Sequence, residues 1–234
     1  MKVFLMMGQS NMAGRGDPRD IAPLPSTHAF VLRNGKWQPM TEPINIDRPI
    51  KFTGSMGTNS GVGPAASFAA AYASEFNEDI DLVPCAEGGS SLDDWKVDGQ
   101  LFLNAYYQAK LASNVGELTG IIWHQGEAEC SIPERALTYK ERFLTIIHEL
   151  EKRLSVEFKI VVGELGRFYA ERPSGAPKYY SEVNKALNEL ALENRNIAIA
   201  SSEGLKDRGD FLHFNAESQR EFGRRYFEAY KTLL

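Results

Sequence analysis

Hydrophobic residues lie along this chain in short, nearly continuous runs separated by segments with helical spacing. Five runs predict strands, at residues 3–7, 80–84, 120–123, 159–165 and 197–201. Four of them are continuous rather than alternating, which is typical of strands buried on both faces of a sheet. Apolar positions at helical spacing predict helices over residues 64–76, 102–115, 133–154, 177–193 and 216–233.

The alternation of predicted strands and helices indicates a fold class. It favours an α/β protein whose parallel sheet is covered by helices on both faces. Five strands suit a three-layer α/β/α, flavodoxin-like arrangement with the strand order 2-1-3-4-5.

One long segment, residues 17–60, breaks this alternation. It contains several prolines and glycines and no strong helical pattern. Within it, Asn34-Gly35 stands between two short apolar-rich stretches, which predicts a small β-hairpin. We interpret the segment as an ordered insertion at the rim of a site, within a single domain spanning residues 1–234.

Composition narrows the classes of function. The 234 residues can bury one sizeable core, and the net charge of -5 without a basic cluster argues against nucleic acid as the main partner. No apolar stretch reaches the roughly 18 residues of a membrane span. Two cysteines, Cys85 and Cys130, are too few for a disulfide framework and are interpreted as small buried residues.

The amino-terminal apolar run is shorter than the core of a signal peptide, which has about 7–15 apolar residues. No small-residue cleavage pattern follows it. We therefore interpret this run as the first strand, and we expect a cytoplasmic protein unless a leader has been removed. The sequence does not indicate an oligomeric state.

A serine follows the first predicted strand, in Gly8-Gln9-Ser10-Asn11-Met12. The carboxyl end of a parallel strand is where α/β folds place their chemistry, so Ser10 is a candidate nucleophile. The alternative is a serine that caps a helix. The G-x-S-x-G pentapeptide is not matched, because Met12 holds its last position, and this argues against the α/β-hydrolase fold.

A serine nucleophile needs a base and an acid that orients the base. His213 stands three residues after Asp210, a spacing that lets a carboxylate reach imidazole Nδ1 and leaves Nε2 free for a serine. Asp207 is a rival acid with a less direct reach. The alternative for this pair is a helix-capping aspartate beside a half-buried histidine.

Two loops are candidates for donors to an oxyanion. Paired glycines, Gly88 and Gly89, follow the second predicted strand and let a backbone N–H approach a ligand closely. Gln125 follows the third strand and carries an uncharged side-chain donor. A plain turn and a surface amide are the alternatives.

Other chemistries receive little support. His124, Glu127 and Glu129 lie close together, but the H-E-x-x-H pattern is absent, so no metal site is expected. The segment 61–64, GVGP, resembles a phosphate-binding loop only weakly. Trp123 is expected in the core, whereas Trp37 and Trp95 fit either a sugar site or packing in the core or at a rim.

Five blocks in this order carry a resemblance to a known family. They are GQSNMAGRG (8–16), GVGP (61–64), EGGSSLDDW (87–95), WHQGEAE (123–129) and DFLHFNAESQREFG (210–223). The chain resembles the SGNH hydrolases and, within them, carbohydrate esterase family 6 and the sialate O-acetylesterase-like proteins. The blocks spread over nearly the whole chain.

The resemblance implies a three-layer α/β/α fold, no cofactor or metal, and a role for each matching residue. Ser10 matches the nucleophile, His213 the base and Asp210 its orienting acid. The N–H groups of Ser10 and Gly89 and the side chain of Gln125 match the oxyanion hole, with Gly88 as the alternative to its neighbour.

The resemblance also indicates the reaction. We expect a serine esterase that removes O-acetyl groups from small-molecule or oligosaccharide esters. Short acyl esters of non-sugar alcohols, and a non-catalytic carbohydrate-binding protein on the same fold, are the alternatives. The candidate substrate-lining residues are Gln9, Asn11, Arg15, Trp95 and Glu127.

Overall fold

The computed structural model describes residues 1–24, 27–45 and 60–234. Within them one sheet contains the strands β1 (Lys2–Gly8), β2 (Ala29–Arg33), β3 (Lys36–Pro39), β4 (Ile80–Pro84), β5 (Glu117–His124), β6 (Lys159–Gly163) and β7 (Ile197–Ala200). The α-helices are α1 (Ser10–Ala13), α2 (Ala65–Phe76), α3 (Gln100–Ala112), α4 (Pro133–Leu137), α5 (Tyr139–Leu154), α6 (Tyr180–Glu193) and α7 (Ala216–Lys231). Short 3₁₀ helices span Glu127–Glu129 and Arg167–Glu171.

The sheet has the order β3-β2-β4-β1-β5-β6-β7, and its neighbouring strands are parallel except for the antiparallel pair β2–β3. The five strands predicted from the apolar runs are β1, β4, β5, β6 and β7. Their spatial order is the predicted 2-1-3-4-5, so the α/β class and the flavodoxin-like centre are confirmed. The predicted number of five strands is wrong, because the sheet has seven.

The two additional strands come from the predicted hairpin. Rather than standing apart at a rim, β2 pairs in parallel with β4, with Val31 opposite Leu82. Val31 and Leu32 are buried there, and β3 follows as the edge strand. The hairpin therefore satisfies an edge of β4 that would otherwise expose its backbone. Two parts of the insertion, residues 25–26 and 46–59, lie outside the described residues.

Helices cover the two faces of the sheet, as expected. On one face α2 packs against α7, and the ring of Phe4 from β1 lies 5.0 Å from Phe68 and 5.2 Å from Tyr230. On the other face α5 lies between α3 and α6, and the Trp123 ring is 5.2 Å from Phe143. Trp123 is fully buried, which confirms its place in the core, as are Cys85 and Cys130.

One predicted helix is two helices. The pattern over residues 133–154 predicts a single helix, but the structure ends α4 at Leu137 and begins α5 at Tyr139. Between them the Thr138 hydroxyl donates to the Glu134 carbonyl at 2.6 Å. Such a side-chain bond to the preceding turn competes with regular helix geometry and bends the chain here.

The parallel strands bring the loops of chemical interest to one edge. The segments after β1, β4, β5 and β7 all leave the carboxyl ends of neighbouring strands. These are the segments that carry the candidate nucleophile, the paired glycines, Gln125 and the candidate base. None of the helices in the described ranges is long and apolar enough to cross a membrane.

Candidate active site

Ser10 is the first residue of α1 and follows β1 through a sharp turn at Gly8. Gly8 has φ +129°, and a Cβ there would lie 2.1 Å from the His124 carbonyl oxygen. Only glycine fits so close to the neighbouring strand. The same carbonyl accepts the Gln9 N–H at 2.8 Å, which fixes the turn that presents Ser10.

The structure brings the three predicted catalytic residues together. His213 Nδ1 lies 2.8 Å from Asp210 Oδ2, and His213 Nε2 lies 3.0 Å from Ser10 Oγ. With an ionised carboxylate at Nδ1, that nitrogen carries the proton, and the serine hydroxyl donates to Nε2. This arrangement can remove a proton from Ser10 when its oxygen attacks an acyl group.

Asp210 is held in an ionised state by the loop it belongs to. Its Oδ1 accepts the N–H of His213 at 2.7 Å and that of Leu212 at 2.9 Å. Burial opposes the charge, but these bonds and the His213 ring outweigh it and hold the pKa of Asp210 below its usual value. The rival acid, Asp207, instead accepts the N–H groups of Gly209 and Phe211.

An arginine that the sequence did not single out braces this loop. Arg208 Nη1 donates to the Arg15 carbonyl at 2.7 Å, and its Nε lies 3.6 Å from Asp210 Oδ2. The Arg208 N–H also donates to the His213 carbonyl at 2.9 Å. Its position two residues before the acid is the only sequence signal that points to this role.

The paired glycines lie beside the nucleophile. A Cβ on Gly88 would lie 3.9 Å from the Cβ of Ser10 and 2.4 Å from Nη2 of Arg15. Gly89 takes a left-handed conformation, with φ +71°. This turn therefore places main chain against Ser10, and its N–H groups are suitable donors to a developing negative charge.

Gln125 is completely buried between two loops. Its Nε2 donates to Glu129 Oε1 at 3.1 Å and to the Ser90 carbonyl at 3.3 Å. Glu129 also accepts the Leu92 N–H at 2.8 Å and an Arg142 nitrogen at 3.1 Å. These bonds tie the loop after β5 to the loop after β4, a connection that only the folded chain reveals.

Most of the candidate substrate-lining residues are buried and bond to neighbouring segments of the protein. Trp95 is fully buried, donates to Ser90 Oγ at 3.0 Å and packs 5.3 Å from the Trp123 ring, so of its two expected places it takes the core and does not line a sugar site. Gln9, Asn11 and Glu127 are at most 4% exposed.

Two of these buried side chains form hydrogen bonds with the loop after β5. Gln9 Oε1 accepts the Gly126 N–H at 3.5 Å, and Asn11 donates to Glu127 at 2.6 Å. Of the candidate substrate-lining residues, only Arg15 is partly exposed, beside Gly88.

Glu127 forms a buried pair with His124. Its Oε1 lies 3.3 Å from His124 Nε2. Burial works against the charge of the carboxylate, yet the charge and hydrogen bond of His124 and the Asn11 bond hold the pKa of Glu127 below its usual value. Among the described residues, no group of three or more histidine, cysteine or acidic side chains is arranged to hold a metal ion.

Comparison with known proteins places this geometry in a family context. Residues 1–232 match the family model described as carbohydrate esterase, sialic acid-specific acetylesterase. The chain is 26% identical to a probable carbohydrate esterase of Arabidopsis thaliana over 98% of this chain and 90% of that protein. The solved structure of an Arabidopsis thaliana protein superposes with a TM-score of 0.83 and 26% identity, covering 98% and 97% of the two chains.

More distant structures share the fold. NanS superposes with a TM-score of 0.74 at 17% identity, covering 98% of this chain and 96% of that one. A carbohydrate acetylesterase from Xanthomonas citri gives 0.64 at 18% identity, covering 97% and 55%. At these identities the likeness concerns the architecture of the chain.

Proposed function

The chain belongs to the carbohydrate esterase family of sialic acid-specific acetylesterases, and from this premise we propose that it removes O-acetyl groups from carbohydrates through an acetyl-enzyme on Ser10. The observation that carries the proposal is the continuous chain of hydrogen bonds from Asp210 through His213 to Ser10. It supplies a nucleophile, a base and an orienting acid in one line.

The reaction begins when Ser10 Oγ attacks the acetyl carbonyl and His213 Nε2 takes its proton. Asp210, ionised and fixed by backbone N–H groups, stabilises the imidazolium that forms. The N–H groups of Ser10 and Gly89 carry the oxyanion of the tetrahedral intermediate.

Gln125 completes the oxyanion hole by exchanging the longer of its two bonds, that to Ser90, for the substrate oxygen. The sugar alcohol then leaves with the proton from His213. Water enters, gives its proton to the same nitrogen and hydrolyses the acetyl-enzyme, releasing acetate and restoring Ser10.

The first prediction concerns the nucleophile. Ser10→Ala removes the attacking oxygen, and we expect acetate release from an acetylated sugar to fall by at least about 10³-fold. Circular dichroism should show a folded protein. Ser67→Ala is the matched control, because Ser67 is also buried and, within the described part of the chain, its hydroxyl bonds only to the Pro64 carbonyl just before α2.

Full activity in the Ser10→Ala protein would refute the proposal. The substrate class is tested by comparing acetylated saccharides with acetyl and longer-acyl esters of simple alcohols. A preference for acetylated saccharides supports the carbohydrate assignment, whereas equal rates on all acetyl esters favour a general short-chain esterase.

A further inference from the structure

The side chain of Asn11 connects the nucleophile helix to the loop that carries the base. Its Nδ2 donates to the Leu212 carbonyl at 3.0 Å, and its Oδ1 accepts the Phe214 N–H at 3.2 Å. These two groups belong to the residues on either side of His213. We propose that Asn11 is a positioning residue that holds His213 against Ser10, with Glu127 as its anchor; this rests on the proposed function.

The orientation of the Asn11 amide is determined by its partners. One amide hydrogen points to Glu127 Oε1 at 2.6 Å and the other to the Leu212 carbonyl. A reversed amide would turn its oxygen toward a carboxylate and a carbonyl, and its nitrogen toward an N–H group. Every donor and acceptor of this side chain is thus used in one arrangement, which an aspartate or an alanine cannot reproduce.

Glu127 is itself fixed from behind. His124 Nδ1 lies 3.2 Å from the Tyr226 hydroxyl, and that hydroxyl gives its own hydrogen to the Trp123 carbonyl at 2.8 Å. The Tyr226 hydroxyl therefore faces His124 Nδ1 with its oxygen, and this contact orients the imidazole ring. Glu127 Oε1 thus lies within hydrogen-bond distance of both His124 Nε2 and the Asn11 amide, and these buried contacts hold the carboxylate that Asn11 meets.

Asn11 therefore links Ser10 to the backbone around His213 through few bonds. Ser10 and Asn11 are neighbours in α1, and all polar atoms of the Asn11 side chain lie in a buried environment. A shift of the backbone at His213 relative to Ser10 requires these bonds to break. Because misplacement of a catalytic group by about 1 Å can cost about 10²-fold in rate, the bonds of Asn11 bear directly on kcat.

Asn11→Ala tests the proposal. We expect kcat for acetate release to fall by about 10²-fold with little change in KM, since the residue acts on geometry rather than on substrate binding. The proton NMR resonance of the His213–Asp210 hydrogen bond should broaden or disappear. Asn184→Ala is the matched control. Asn184 lies on α6, and its side chain accepts the N–H of Leu165 at 2.9 Å, in the loop after β6, which carries no catalytic residue.

The control should lose stability but keep its kcat. A folded Asn11→Ala protein with wild-type kcat and an unchanged His213 resonance would overturn the proposal. Activity in Ser10→Ala would instead overturn the proposed function, so that the two failures are distinguishable.

An exchange of the two side chains tests the anchor and remains informative if Asn11→Ala does not fold. Asn11→Asp alone places two carboxylates together and should abolish most activity. Asn11→Asp combined with Glu127→Gln restores one carboxylate and one amide in exchanged positions. We expect the double variant to recover at least about tenfold in kcat over the single variant, short of the wild-type value because a carboxylate at position 11 still faces the Leu212 carbonyl. No recovery would overturn the anchoring role of Glu127.

Discussion

At the residue scale, the site is built from side chains whose partners lie far away in the sequence. Ser10 and His213 are recognisable from the sequence, since one follows a strand and the other follows Asp210 at a fixed spacing. The bracing roles of Asn11, Gln125 and Arg208 depend on contacts between loops that are distant along the chain. No local pattern encodes such contacts.

Gln125 offers a prediction at this scale. Gln125→Met keeps the approximate shape of the side chain but removes its N–H donors. If the amide stabilises the oxyanion, kcat should fall by about 10²–10³-fold in steady-state acetate release. If it only ties Ser90 to Glu129, thermal unfolding will shift while kcat is retained, which would contradict its place in the oxyanion hole.

At the element scale, a buried ion pair fastens the insertion to α7. Arg220 Nη1 donates to Glu42 Oε1 at 2.5 Å, and Arg220 Nη2 contacts both Glu42 Oε2 and the Ala22 carbonyl. The two side chains are only 4% and 6% exposed. Two points of the insertion, Ala22 and Glu42, are therefore anchored to the helix that follows the base loop.

Glu42→Leu leaves the Arg220 charge buried without its partner. We expect the free energy of unfolding, measured in urea, to fall by about 3–5 kcal/mol. Replacing both partners, Glu42→Leu with Arg220→Met, should recover much of the loss because no charge stays buried. A double variant no more stable than Glu42→Leu alone would refute this account.

The sequence predicts the position of an element well where its apolar periodicity is strong. It predicts the position poorly where one side chain or one strand pairing determines where the element ends. The centre of the sheet and α7 follow directly from their apolar patterns. The break between α4 and α5 depends on the Thr138 hydroxyl, and the addition of β2 depends on the unpaired edge of β4. Neither cause is visible in the spacing of hydrophobic residues.

At the scale of the whole molecule, the carboxyl ends and the amino ends of the parallel strands have different roles. The carboxyl edge carries the candidate site. Near the amino end of β4, Asp81 is fully buried, and its oxygens have no hydrogen-bond partner among the described residues. Burial, reinforced by the nearby charge of Asp79, raises the pKa of Asp81 to about 6.

This carboxyl should make stability depend on pH without affecting catalysis. Because the pKa of Asp81 is higher in the folded state, stability falls as pH rises from the unfolded-state pKa of about 3.9 to the folded-state pKa of about 6, and the loss is complete above this range. Asp81→Asn should therefore stabilise the protein by about 3 kcal/mol at pH 7.5 and by little at pH 4.

Urea unfolding of both proteins across this pH range measures the difference, and kcat provides the control. A stability difference that does not vary with pH would contradict the assignment. A changed kcat would contradict the claim that Asp81, at the amino end of β4, is uncoupled from the site at the carboxyl ends of the strands.

The short edge strand β3 has a consequence for how the molecule behaves among copies of itself. A parallel sheet that ended at β4 or β2 would offer a row of unpaired amides to any passing chain. β3 is only four residues long, and it begins with an exposed Lys36 and ends with an exposed Pro39, which has no N–H to give. Charge and proline at a short edge discourage edge-to-edge aggregation.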